Sequence, residues 1–355
     1  MSALVLIPSP AGGRISLVSR GVHQGLRGRF DADGAPAAAL RAVRDALAAD
    51  GAGQKLAAIG VRLLFGGDGF PRAVPADDDV LRRLAALEHR APLHLPCELE
   101  WVRACRKVFP DVPVVLAFES AFFTALPERE RRYGIDPAVA GALAVERRGY
   151  HGLWHEAACA AALRAWRAQN RAGTPRTLSF CWEPKPEVAG VLGRRPLAVS
   201  SGATPLAGLP GETSCGEVDP SVLLMLAQQA GCGPEQVNLL ATRESGLTAL
   251  VGPGTRWPDL FGPDAMAANG ARGFARKLAE HRFLLACGAA TAALGGADLL
   301  VFSGRYAALG RQLGPRLAAR LDFSAAGGQP APGLQIVESS LELLVARRAL
   351  LAARD

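Results

Sequence analysis

Short apolar runs recur along this chain, separated by longer stretches whose apolar positions return every three or four residues. The first pattern is that of strands and the second that of one-sided helices. Ala3–Ile7 and Ile15–Val18 read as a β-hairpin closed by Pro10-Ala-Gly-Gly13. The alanine-rich stretch Pro36–Ala49 has helical spacing, and a proline suits its first position. Leu56–Phe65 is a β-rich run that stops at Gly66-Gly67. Asp77–Glu88 predicts a helix whose acidic start suits the helix dipole, Cys97–Val108 a second helix, and Val112–Phe118 a buried strand.

The same alternation resumes past Tyr150. His155–Asn170 predicts a helix, Thr177–Trp182 a strand, and Gly190–Val199 its hairpin partner. Asp219–Gln229 and the long apolar Phe274–Leu294 predict helices, and Asp298–Phe302 a buried strand. Leu334–Val337 and a last helix, Leu341–Ala353, close the chain. Strands followed by helices, twice over, predict two α/β domains. The boundary is placed near Glu146: an N-terminal domain over 1–145, completed by the C-terminal helix 341–355, and a second domain over 146–340. No repeat is visible in the residues themselves.

Length agrees with two domains, since 355 residues exceed a rough prior of about 150 per domain. The net charge of +7 comes almost entirely from scattered arginines, as at Arg82–Arg83, Arg129–Arg132 and Arg194–Arg195. Without a compact basic stripe interleaved with aromatics, nucleic-acid binding is not expected, although the field favours anionic ligands. Seven cysteines without a CxxC pair point to reduced thiols in a cytoplasmic protein, not to a metal cluster or disulfide framework. The N-terminus reads as a first strand and not a signal peptide, and no apolar run of about 18 residues exists to span a membrane. The Walker A loop, the G-x-G-x-x-G turn, G-x-S-x-G and H-E-x-x-H are all absent.

Several collinear segments carry more information. They are Gly60-Val-Arg62-Leu-Leu64-Phe-Gly66-Gly67, Ala91-Pro-Leu93-His94-Leu-Pro96, Phe118-Glu119-Ser-Ala-Phe-Phe123 and Gly149-Tyr150-His151-Gly152 with His155. Gly202-Ala-Thr-Pro205-Leu-Ala-Gly208-Leu, Gly216-Glu-Val-Asp219-Pro220, Glu244-Ser-Gly246-Leu, Leu294-Gly-Gly-Ala-Asp298-Leu-Leu-Val-Phe302 and Leu344-Val-Ala346-Arg347 follow in order. Together they resemble the acetate kinase family from residue 60 to 347, while the first 55 residues match poorly. The resemblance implies two ribonuclease-H-like domains of the acetate and sugar kinase/actin superfamily. It also implies reversible phosphoryl transfer between ATP and acetate or propionate with Mg2+, and a homodimer formed through the second domain. Phe283–Leu294 in that domain reads equally well as an ordinary core helix.

Such chemistry needs one half-site for the carboxylate and another for the nucleotide. By resemblance the first is retained. Arg62 falls on the substrate arginine, where a guanidinium grips a carboxylate or phosphoryl oxygen. His94 and His151 fall on two site histidines, the alternative for each being an ordinary core histidine. Leu64, Leu93, Tyr150 and Pro205 fall on the acyl pocket, and Glu119 replaces the active-site aspartate. The added methylene moves the charge, and a shift of about 1 Å in a catalytic group costs ~100-fold.

The donor half departs from the family. Its early N-x-G-S-S-S turn is Pro8-Ser9-Pro10-Ala-Gly-Gly13 here, and its second arginine is Ser214. Its H-L-G-N-G phosphate loop is Cys181-Trp182-Glu183-Pro184-Lys185, which loses two glycines that allow backbone approach to phosphate. Its S-D-M-R segment is Thr255-Arg256-Trp257-Pro258, its G-G-I-G-E-N loop is Gly304-Arg305-Tyr306-Ala-Ala-Leu309, and its C-terminal metal-linked glutamate falls on Leu341, next to Glu342. Loss of a transition-state arginine alone costs ~1000-fold by analogy with arginine fingers. The substitutions argue against ordinary ATP and Mg2+ use. Three readings stay open: an altered acyl kinase with its anion site rebuilt from Lys185, Arg256 or Arg305; a non-catalytic binder of a short-chain carboxylate or acyl phosphate, or partner subunit; and an unrelated small-molecule reaction in the retained pocket.

Overall fold

The computed structural model describes all residues except 11, 20–21, 31–34, 50–55, 144, 230, 266, 268, 322–330 and 355. The predicted turn at Pro10–Gly13 therefore lies partly outside the described residues. The chain forms two compact units, Met1–Thr124 with Ser339–Asp355, and Ala125–Glu338. The expectation from the sequence places the boundary near Glu146 and the helix 341–355 with the first domain.

Unit 1 is built, among the described residues, on a six-stranded sheet. Its elements are β1 (Ser2–Ser9), β2 (Gly12–Ser19), β3 (Val22–Phe30), α1 (Pro36–Ala49), β4 (Leu56–Leu63), β5 (Val74–Pro75), α2 (Asp78–Ala85), α3 (Leu95–Val108) and β6 (Val114–Phe118). The sheet order is β3-β2-β1-β4-β6-β5. β1, β2 and β3 form an antiparallel meander, and β4 and β6 then add in parallel. Strand β3 is not apparent from the sequence, because glycine, arginine and glutamine interrupt its alternation. Asp77 caps α2 by accepting the Val80 N–H at 2.7 Å, which starts that helix one residue later than its acidic run. The core joins Leu4, Leu6, Ile59, Val61, Leu99, Val102 and Phe118.

Unit 2 contains two short helices, α4 (Glu128–Arg131) and α5 (Pro137–Ala142), then α6 (Gly152–Ala168), β7 (Arg176–Cys181), β8 (Glu187–Leu192) and β9 (Arg195–Val199). There follow α7 (Pro220–Gln229), α8 (Pro234–Arg243), α9 (Gly246–Leu250), α10 (Pro258–Phe261), α11 (Gly270–Leu294), β10 (Leu299–Ser303), α12 (Gly310–Arg320) and β11 (Gly333–Ile336). The predicted single partner strand Gly190–Val199 is two strands. Gly193, at φ +64°, turns the chain between β8 and β9 in a conformation that side chains resist. The sheet order, β11-β10-β7-β8-β9, repeats the plan of unit 1: an antiparallel meander β7-β8-β9 extended by parallel β10 and β11. The repeat lies in topology and not in residues. Its core stacks Phe180, Trp182, Trp257, Phe261, Phe283 and Phe302, with Phe180 and Phe302 centroids 4.9 Å apart.

The last helix, α13 (Leu341–Ala352), belongs to unit 1 and packs on β4. Gly60 permits this, since a Cβ there would lie 2.9 Å from Val345 Cγ1 and 3.0 Å from Ala349 Cβ. The glycine two residues before Arg62 is thus explained by packing.

Candidate functional site

The eight candidate residues divide between the units: Arg62, Leu64, Leu93, His94 and Glu119 in unit 1, and Tyr150, His151 and Pro205 in unit 2. In unit 1, Arg62 sits near the end of β4, and Glu119 directly follows the parallel neighbour β6, its N–H donating to Leu63 O at 2.9 Å. The register brings their side chains together, with Arg62 Nε donating to Glu119 Oε1 at 3.4 Å.

A third charged residue joins them. Glu98 lies on the apolar face of α3, with Leu95, Leu99, Val102 and Cys105, and is fully buried. Its Oε1 accepts from Arg62 Nη1 at 3.3 Å, and the Leu64 N–H points between its two oxygens at 3.0 and 3.2 Å. Burial pushes the Glu98 carboxyl up to about 7, against the pull of Arg62 and the Leu64 amide and with a further push from Glu119. The Arg62 contacts are long for charge-assisted bonds, which run at about 2.7–2.9 Å. The guanidinium is shared between two acids and clamped by neither. Leu64 is buried, Leu93 is 64% exposed, and His94 is half-buried at the entry to α3.

Unit 2 also centres on a buried glutamate that the sequence did not single out. Glu187, the first residue of β8, accepts the Tyr150 N–H at 3.0 Å, the His151 N–H at 3.3 Å and His155 Nε2 at 3.1 Å, and the Ser201 hydroxyl as well. Burial raises its carboxyl, but the His155 hydrogen bond, the two histidines and Ser201 outweigh that and hold it at about 2. His155 lies wholly buried between Glu187 and Ser179, so it positions and does not present a free ring. His151 Nε2 meets Lys185 O at 3.0 Å, and because a carbonyl only accepts, Nε2 carries the proton. Tyr150 is buried with its hydroxyl donating to Ala203 O, while Pro205 is half-buried. One signal for Glu98 was present in the sequence: an acid at helical spacing among core leucines. Glu187 gives no such sign at the start of an apolar strand.

The unit 2 segments that the resemblance assigns to the donor half are occupied by their own side chains. Glu183 Oε1 accepts the Arg305 N–H at 2.7 Å, and Arg305 Nη2 lies 3.6 Å from Glu183 Oε2. Lys185 Nζ donates to Leu206 O and Ala207 O, each at 3.1 Å, and to Leu209 O. Desolvation lowers its ammonium to about 8. Pro184 O accepts from Trp257 Nε1 at 3.3 Å and from Glu212 N at 2.8 Å. Arg256 is exposed, and its N–H donates to Asp259 Oδ2 at 2.8 Å. In unit 1, Glu342 pairs with Arg14 at 3.3 Å. Among the described residues no three His, Cys, Asp or Glu side chains are grouped to hold a metal ion.

Residues 24–310 match the sequence model of the Acetokinase family. The chain belongs to that family. Similar acetokinases include the acetate kinase of Deinococcus deserti, 33% identical over an alignment of 368 positions that spans 96% of this chain and 90% of that one. The acetate kinase of Thermoanaerobacter pseudethanolicus is 30% identical over 271 positions, 76% of this chain and 67% of that one. Among solved structures, Porphyromonas gingivalis acetate kinase superposes with a TM-score of 0.83 at 22% identity, covering 99% of both chains. A propionate kinase from Francisella tularensis gives 0.84 at 20%, covering 98% of both. The fold is that of the acetate and sugar kinase/actin superfamily, with its repeated five-strand order in each unit. No helix among the described residues is long and apolar enough to cross a membrane.

Proposed function

We propose that this acetokinase-family chain binds a short-chain carboxylate or its acyl phosphate through Arg62. In this reading the family reaction, ATP plus acetate or propionate to acyl phosphate plus ADP, runs in it far below the rate of an ordinary member. The observation that carries the reading is the state of the donor segments. A triphosphate with Mg2+ needs free amides and uncommitted cations. Here the Glu183 carboxylate takes the Arg305 amide, and the Lys185 ammonium is spent on three carbonyls. These residues do not fit a nucleotide phosphate, which also counts against rebuilding the anion site from Lys185 or Arg305. Arg62, Glu119, His94, His151, Tyr150, Leu64, Leu93 and Pro205 remain the proposed carboxylate side.

The same contacts favour a second reading, a catalytically inactive pseudokinase that serves as a carboxylate-binding or partner subunit. A homodimer through unit 2 is part of the proposal, supported by exposed apolar side chains on α7 (Leu224, Met225), α8 (Leu239) and α11 (Phe274, Leu285). The cytoplasm is the proposed location, in keeping with free cysteines at all seven positions.

The test runs the reaction in reverse, acetyl or propionyl phosphate plus ADP with Mg2+, reading ATP by luminescence, with Arg62→Ala beside the parent. The expected result is a signal at least ~1000-fold below an ordinary acetate kinase. A low signal that disappears in the variant supports the slow kinase, and equal background in both supports the pseudokinase. Ordinary turnover abolished by Arg62→Ala would overturn the reading.

A further inference from the structure

Glu98 has no part in the carboxylate pocket that the family resemblance describes, yet it is the most deeply buried charged partner of Arg62. Its position raises a question of charge. One guanidinium faces two carboxylates, Glu98 at 3.3 Å and Glu119 at 3.4 Å, both essentially without solvent contact. With both acids ionised the trio carries one net negative charge in a poorly hydrated place, and a third carboxylate approaching Arg62 is repelled. With one acid neutral the trio is balanced, and Arg62 Nη2, which makes no hydrogen bond among the described residues, faces no excess of negative charge. Glu98 is the acid equipped to be neutral: it has one backbone donor, shared between both oxygens, and one long contact to Arg62.

We propose that Glu98 couples anion binding at Arg62 to the uptake of one proton, so that a short-chain carboxylate enters together with H+ from solvent. The inference rests on the carboxylate-binding reading above. Ionised Glu98 takes up the proton and becomes a neutral carboxyl that still accepts the Leu64 N–H. The anion then replaces its charge against the guanidinium. No bond of the ligand is broken. Glu98 acts through Arg62 and is a positioning residue.

The surroundings contain few competing charges. The elements packed on α3 are α1, α2, β1, β4 and β6. From these, Arg62 and Glu119 face Glu98; β1 carries no ionisable side chain, and Arg41, Arg44 and Asp45 of α1 and Asp78, Asp79, Arg82 and Arg83 of α2 are exposed. On α3 itself Glu100 and Arg103 are exposed, Cys97 adjoins Glu98, and His94 precedes the helix. His94 is therefore the group whose titration must be told apart from that of Glu98.

The experiment is calorimetric titration of the full chain with acetate and propionate from about pH 5.5 to 8.5, in buffer pairs of different ionisation enthalpy. Carbon-13 carboxyl spectra of the ligand-free protein follow Glu98, assigned by its loss in Glu98→Gln. Coupling predicts uptake of close to one proton per anion above neutrality. It also predicts affinity falling about tenfold per pH unit there, level affinity in acid, and a Glu98 carboxyl that titrates near neutrality. Glu98→Gln is expected to bind with a pH-independent constant near the parent's acid-side value, whereas a merely structural Glu98 would leave the pH profile in place. Binding without proton uptake, or uptake that persists in Glu98→Gln and disappears in His94→Gln, overturns the coupling and leaves the carboxylate site standing. No binding at any pH overturns the carboxylate site itself, and the coupling with it.

Discussion

Each unit buries one glutamate completely, and the two have opposite fates. Glu98 in unit 1 is pushed up to about 7, and Glu187 in unit 2 is held at about 2. Burial is the same for both, at 0% and 1% exposure, so burial does not decide the outcome. The donors decide it. Glu187 receives two amides, an imidazole and a hydroxyl. Glu98 receives one amide and a distant guanidinium, and a second carboxylate sits on the same arginine. Unit 2 uses its acid as a structural anchor for the Tyr150–His151 turn, and unit 1 keeps its acid in reserve.

The strongest way to break this comparison is to remove the anchor. Glu187→Ala strands two amides, the Ser201 hydroxyl and the His155 ring in a buried place. It is expected to cost about 3–5 kcal/mol in urea unfolding of unit 2. The pH dependence follows from the depressed carboxyl. The parent's benefit is complete above the ordinary carboxylate value near 4.5 and is lost as pH falls toward about 2. Glu187→Gln should flatten that acid limb. A loss below about 1 kcal/mol in Glu187→Ala would show that water satisfies these donors as well as the carboxylate does.

Replacing the acid in reserve has the opposite sign. A raised folded-state carboxyl means that the native protein binds the proton more tightly than the unfolded chain does. Glu98 therefore lowers stability progressively as pH rises from about 4.5 through about 7. Glu98→Gln is expected to equal the parent near pH 4 and to exceed it by about 2–3 kcal/mol at pH 8, read from denaturation midpoints across that range. A variant destabilised equally at both pH values would mean that Glu98 serves packing alone.

How much of this was legible in the residues depends on whether a feature is local. Pro36–Ala49 was readable end to end, because a proline start and helical spacing are local signals. Collinear motifs identified the family, and Arg62 with Glu119 came from that alignment. Strand β3 was hidden because a meander's outer strand can satisfy its backbone with few apolar side chains. The β8–β9 turn was passed over although its signal is local, Gly193 followed by Arg194 and Arg195 interrupting the apolar run. Glu98 stands out locally as an acid among the core leucines of a helix, but its pairing with Arg62 needed the register that puts Arg62 opposite α3, and Glu187 needed the fold that brings Ser201 and His155 to β8. The topological repeat of the two units was equally invisible, since strand order constrains which faces are apolar and not which residues fill them.

The smallest expected stability effect sharpens the comparison most. Glu183 has nearly the donor set of Glu98, one amide and one guanidinium, both from Arg305. It differs in being half-buried, with no second carboxylate paired to Arg305 among the described residues and with an arginine that is 45% exposed. If donors and like charges set the energetics, Glu183 is inexpensive to remove, because water replaces what is lost. Glu183→Ala is expected to change unfolding stability by less than about 1 kcal/mol. Its effect should appear in binding instead. Removing the carboxylate releases the Arg305 amide and leaves its guanidinium uncompensated, so affinity for ADP or inorganic phosphate should rise about fivefold, measured by calorimetry at low salt. Unchanged affinity would shift the obstacle to Lys185 and its carbonyl ring, whose polar atoms are already satisfied. A gain in affinity without a gain in turnover would separate the two departures that the family resemblance implies, at the phosphate loop and at Ser214 in place of an arginine.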